Sequence, residues 1–121
     1  MKGFLPVKFL VLKDGFLYGF DEPYFVILSY GYNKNVYSSY SDKFPVYHDN
    51  EVPKHILDFI NELRNNVISI ETKIFSKSGD FNTKIFSSNY PIYYIKTINY
   101  LIALQEKSDE GIIYGTFKKY T

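Results

Sequence analysis

The chain has 121 residues, 14 basic and 13 acidic side chains for a formal charge of +1, and no cysteine. That length suits a single domain, residues 1–121, able to bury a core without covalent staples. Without cysteine there are no disulfides, thiolate metal sites or cysteine nucleophile, and a reducing compartment is expected. A near-zero charge with Arg64 as the only arginine argues against reading duplex DNA, which favours strong phosphate neutralisation and guanidinium forks on base edges. Aromatic residues make up 20% of the chain, 13 Tyr and 11 Phe. Phe, Tyr, Ile, Asn and Lys all have AT-rich codons, so the composition reflects base usage first.

The opening segment from Met1 to Leu12 is apolar but interrupted by Pro6 and Lys8, and no cleavage-site pattern follows it. Val7 to Lys13 and Phe16 to Glu22 read as two strands joined by Asp14-Gly15, a pair suited to positive φ in a two-residue turn. Such a turn fixes the register, with Lys13 opposite Phe16, Leu12 opposite Leu17, Phe9 opposite Phe20 and Lys8 opposite Asp21. Leu10, Leu12 and Leu17 then share one face, and Phe9, Val11, Tyr18 and Phe20 the other. Both faces are apolar and need cover, from within the chain or from a second copy in a homodimer.

Tyr24 to Tyr32 reads as a third strand, and Asn33-Lys34-Asn35 as a turn into a fourth, Val36 to Tyr40. Phe44 to Tyr47 is a short extended piece that Pro45 assigns to a sheet edge. Asp49-Asn50 and Pro53 carry helix-start chemistry. Ile56, Leu57, Ile60, Leu63 and Val67 follow at helical spacing, with Asp58, Asn61, Glu62 and Arg64 on the polar side. Ile68 to Lys77 and Phe81 to Ser87 form a second hairpin turning at Gly79-Asp80, with Ile74 opposite Ile85, Lys73 opposite Phe86 and Phe75 opposite Lys84. Ile92 to Lys107 has a broad apolar surface at helical spacing and is read as a second helix, and Ile112 to Lys119 as the last strand. The fold class expected is α+β: a mainly antiparallel sheet built from hairpins and packed with two helices, in the order β-β-β-β-(β)-α-β-β-α-β.

Three groups of residues carry candidate function. Tyr30, Tyr32, Tyr37, Tyr40 and Tyr47 are interleaved with Ser, Gly and Asn, the vocabulary of recognition surfaces, because Tyr offers large contact area for few frozen torsions. The competing explanation is a half-buried strand pair. Lys34, Lys43, Lys73 and Lys84 with Phe75 and Phe86 suggest a platform for single-stranded nucleic acid, against which lysine stems covering aromatic rings are the simpler account. His48, Glu51, His55 and Asp58 suggest a divalent-metal or small-enzyme site, although their spacing matches no established ligand motif and acidic residues are expected at a helix start.

No nucleophile elbow, phosphate loop, dinucleotide fingerprint or zinc-protease motif occurs, so no catalytic residue and no cofactor is assigned. The expectation is a small non-enzymatic binding protein acting through protein contacts in the cytoplasm, without a membrane anchor. Size and composition suggest an accessory or host-interaction protein of a virus or plasmid, then located in the host cytoplasm. Single-stranded nucleic-acid binding is the alternative, and a small enzyme or metal-dependent protein the further one.

Overall fold

The computed structural model of the chain describes residues 5–73 and 85–120. Its elements in chain order are β1 (Phe9–Lys13), β2 (Phe16–Asp21), β3 (Tyr24–Ser29), α1 (Lys34–Ser41), β4 (Val46–Tyr47), α2 (Lys54–Asn65), β5 (Val67–Lys73), β6 (Ile92–Thr97), β7 (Tyr100–Lys107) and β8 (Ile112–Lys119). The strands form one eight-stranded sheet in the order β4-β1-β2-β3-β8-β7-β6-β5. Every pairing is antiparallel except that of β4 with β1. The expected class, a mostly antiparallel sheet with two helices, describes this architecture, but the element order differs.

The first hairpin follows the sequence closely. Asp14 and Gly15 both take positive φ, 53° and 84°. The register pairs Phe9 with Phe20, Leu12 with Leu17 and Lys13 with Phe16. Lys8 and Asp21 meet at 3.6 Å just beyond the ladder. The short piece at Val46–Tyr47 lies on the sheet edge, as Pro45 suggested.

Two apolar clusters lie on opposite sides of the sheet. On one side α2 lays Ile56, Phe59 and Ile60 over Val11, Tyr18, Phe20, Phe25, Ile27, Ile102 and Phe117. On the other, Val36, Tyr37 and Tyr40 of α1 pack with Ile85 and Phe86 against Leu10, Leu17, Val26, Leu28, Ala103 and Tyr114. Leu10 and Leu17 on one face of the first hairpin and Val11, Tyr18 and Phe20 on the other are therefore covered from within the chain, while Leu12 stays 38% exposed. Gly115, opposite Phe25 in the ladder, lets the Phe25 ring lie where a Cβ would stand.

Three expectations are corrected. Val36 to Tyr40 is helix rather than a fourth strand: the Asn33 side chain caps the Asn35 and Val36 amides at 3.1 Å each, so the expected turn is a helix start. Val36, Tyr37 and Tyr40 then share one helical face over the second cluster, which overrides their strand preference. Ile92 to Lys107 is not a helix but two strands, turning at Ile98-Asn99. Its breadth of apolar residues comes from a sheet covered on both sides, with Ile95 and Ile102 facing the first cluster and Ile92 and Ala103 the second. In the second hairpin, β5 pairs with β6 and Lys73 stands opposite Ile92. Ile85 to Ser87 are irregular, with Ile85 and Phe86 buried. The expected turn at Gly79-Asp80, and Ile74, Phe75 and Lys84, lie outside the described residues.

Glu62 departs from the polar face assigned to it. It is 9% exposed and ties α2 to the β6–β7 turn. Its carboxylate accepts from the Thr97 hydroxyl at 2.7 Å, the Asn99 amide at 2.8 Å and the Asn99 side chain at 2.6 Å. Burial pushes this carboxyl up, but the Asn99 and Thr97 donors outweigh it and hold the group below its ordinary value of 4.5. A depressed folded-state value contributes stability that is present above the unfolded value and lost as pH falls through the folded one. Urea unfolding as a function of pH should therefore show an acid-side decline beginning near pH 4.5 that flattens in Glu62→Gln. The same substitution should cost about 1–2 kcal/mol at pH 7, because the charge-assisted bonds are weakened.

Candidate protein-binding site

The most exposed tyrosines of the expected recognition surface lie where β3 ends, beside the turn from β7 into β8. Leaving β3, the chain runs through Tyr30-Gly31-Tyr32 to the Asn33 cap. Ser29 Oγ donates to the Gly31 carbonyl at 2.8 Å, which closes this short loop on itself. Across from it Gly111, at φ 68°, completes the turn between β7 and β8. The two loops border a concavity of about 420 Å³ lined by Leu28, Tyr30, Tyr32, Asn33, Val36 and Gly111 among others.

Tyr30 and Tyr32 are 53% and 62% exposed, the most open tyrosines described. Tyr30 is nonetheless held in place. Its hydroxyl donates to Glu106 Oε2 at 3.0 Å, and its ring stands edge-on to Phe16 at 6.4 Å. Burial, the hydrogen bond to Glu106 and that residue's charge together push the phenol up to about 12. The side chain therefore stays a neutral donor at any physiological pH. Tyr32 rests on Tyr37, ring centroids 5.9 Å apart.

Behind Phe16 lies a second concavity of about 330 Å³, lined by Phe16, Tyr18, Ile27, Leu63, Arg64 and Leu104. Tyr18 and Ile27 are buried, while Phe16, Leu63 and Leu104 are half-buried. The Arg64 guanidinium sits over the Phe16 ring, 4.3 Å from its centroid. Burial pushes the Tyr18 phenol up against the lowering influence of Arg64. Tyr30 thus borders one concavity and touches the wall of the other, with rigid aromatic and arginine neighbours. Exposed Tyr and Arg anchored by packing are the side chains that dominate protein-binding energetics.

The other tyrosines of the expected surface go elsewhere. Tyr37 and Tyr40 pack beneath α1 against the second cluster. Tyr47 stacks on Phe9 at 4.5 Å and joins the first cluster, on the opposite side of the sheet. Four residues of the nucleic-acid set are described. Lys34 and Lys43 lie exposed at the two ends of α1, Lys73 closes β5, and Phe86 is 8% exposed, which leaves no ring face for a base. Phe75 and Lys84 are outside the described residues.

The metal set is split among separate partners. Glu51 precedes α2 and accepts the His48 amide at 2.9 Å, His55 meets Glu22 at 2.7 Å, and Asp58 pairs with Lys54 at 3.1 Å. Among the described residues no group of three or more His, Asp or Glu is arranged to hold a metal. No helix described is long and apolar enough to cross a membrane.

Comparison with protein-family models, curated proteins and solved structures returned no match. Phe16, Leu63, Arg64 and Leu104 were missed by sequence reasoning because they come from three elements, β2, α2 and β7. The available signals were an arginine without a counterpart elsewhere in the chain and a Phe directly after a tight turn.

Proposed function

We propose that the chain is a non-enzymatic binding protein whose partner is another protein, docked over Tyr30 between the two concavities. The supporting observation is the setting of Tyr30. It is half exposed, yet its hydroxyl is fixed by Glu106 and its ring by Phe16. A pre-organised aromatic loses little freedom on binding, which favours affinity per unit area. Tyr32 and the Gly31 and Asn33 backbone extend the contact with adaptable polar groups. Composition and size support an accessory role in the cytoplasm, as in the small proteins of viruses or plasmids.

The test is affinity capture from the cells that produce the protein, comparing the parent chain with Tyr30→Ala/Tyr32→Ala by quantitative mass spectrometry. Recovery of the specific partner should fall by about tenfold or more, as expected for loss of an anchoring tyrosine. Unfolding free energy should drop by less than about 1 kcal/mol, because both rings are largely exposed. Undiminished recovery would contradict the assignment of this surface.

A further inference from the structure

The concavity beside Arg64 has a chemistry that specifies what enters it. Its floor and walls are apolar or aromatic, from Tyr18, Ile27, Leu63, Leu104 and the rim of Phe16, and it is open on its solvent side. Its only charge is the Arg64 guanidinium, held over Phe16. Among the described residues no carboxylate lies within ion-pair distance of Arg64. The acidic groups nearby are committed or remote: Glu62 is held by Thr97 and Asn99, Glu106 accepts from Tyr30, and Asp14 acts on Tyr18 only through its field. An arginine in the last turn of a helix complements the helix dipole. The dipole does not explain why the guanidinium lies over a ring at the rim of an apolar concavity, with donors still available.

We infer that the occupant of this concavity is an apolar side chain of the partner protein, flanked in the partner's sequence by a carboxylate that pairs with Arg64. The inference rests on the protein-binding reading above and adds the chemistry of the partner. A free small molecule fits less well, since ligand pockets of this size ordinarily enclose most of their ligand and this one is open. A side chain is covered on its open side by the partner's own backbone. Sign selects the flank: a carboxylate meets the guanidinium in bidentate geometry, whereas a partner lysine meets a like charge.

The test titrates three acetylated, amidated peptides, alanine-based with a central Glu-Phe-Asp, Gln-Phe-Gln or Lys-Phe-Lys, into the ¹⁵N-labelled full chain. The acidic peptide should shift the amides of Phe16, Tyr18, Leu63 and Leu104 and bind about tenfold more tightly than the basic one. Arg64→Gln should abolish that difference and Arg64→Lys should keep part of it; Arg64 is exposed, so both variants should fold. Equal binding of the three peptides at the cavity, or an acidic preference that survives Arg64→Gln, overturns the inference and leaves protein binding itself standing. No shift at the cavity with any peptide also overturns it. The Tyr30/Tyr32 capture experiment judges the underlying reading independently.

Discussion

Phe59→Ala should lower the unfolding free energy by about 3–5 kcal/mol, the range for emptying a buried aromatic site. Phe59 is fully buried where α2 crosses the sheet. Its ring stacks on Phe117 at 4.0 Å and meets Phe25 at 5.0 Å, Tyr100 at 5.5 Å and Phe20 at 6.2 Å, the last three edge-on. Truncation removes these ring contacts together with the transfer energy, and surrounding rings on a hydrogen-bonded sheet collapse little into the space. Phe59→Leu, which fills part of the volume, should cost about half as much. Denaturant unfolding with unchanged m-value measures both. A loss below about 1 kcal/mol for the alanine variant would mean that α2 does not seat its aromatic face on the sheet.

The second large effect is expected at Gln105, a polar side chain with no solvent exposure. Its Oε1 accepts the Ser87 amide at 2.7 Å, and its Nε2 donates to the carbonyls of Ser87 at 2.6 Å and Tyr90 at 2.9 Å. One amide thereby fixes the irregular segment that carries Ile85 and Phe86 into the second cluster. Gln105→Leu keeps the volume but strands a backbone donor and two carbonyls, which should cost about 2–4 kcal/mol. Gln105→Glu should be no better at neutral pH, because a carboxylate cannot donate to those carbonyls. Hydrogen exchange gives the local signature: the Ser87 amide should lose protection in Gln105→Leu by more than the β7 amides do. A neutral Gln105→Leu would contradict the role assigned to this clamp.

What could be read from the sequence was what short-range geometry decides. Asp14-Gly15 sets a two-residue turn, and the register of β1 and β2 follows from it. The spacing of Ile56, Ile60 and Leu63 marks the apolar stripe of α2, and Pro45 marks an edge. The misreadings share a different cause. Val36 to Tyr40 has strand-forming residues, and only the Asn33 cap and an uncovered sheet face make it helical. Ile92 to Lys107 shows apolar residues all round whether it is a buried helix or two doubly covered strands. Its turn at Ile98-Asn99 is clasped by Glu62, far earlier in the chain. Glu62 itself looked solvent-facing because the donors that satisfy it belong to another hairpin.

The proposed surface was legible in part. The interleaving of Tyr with Gly, Ser and Asn takes in the loop on which Tyr30 and Tyr32 stand exposed. It could not separate them from Tyr37, Tyr40 and Tyr47, whose rings pack against elements distant in sequence. Arg64 stood out as the only arginine, but its placement over Phe16 depends on α2 crossing the end of the first hairpin.

Site-specific photo-crosslinking tests the central claim most directly. A benzophenone side chain replaces Tyr30 in one variant and Asp49, an exposed residue ahead of α2, in another, and both are irradiated in the cells that produce the protein. A discrete adduct with one partner protein from position 30 and none from position 49 is the result expected if the partner docks over Tyr30. No adduct from position 30, or the same adduct from both positions, would contradict it.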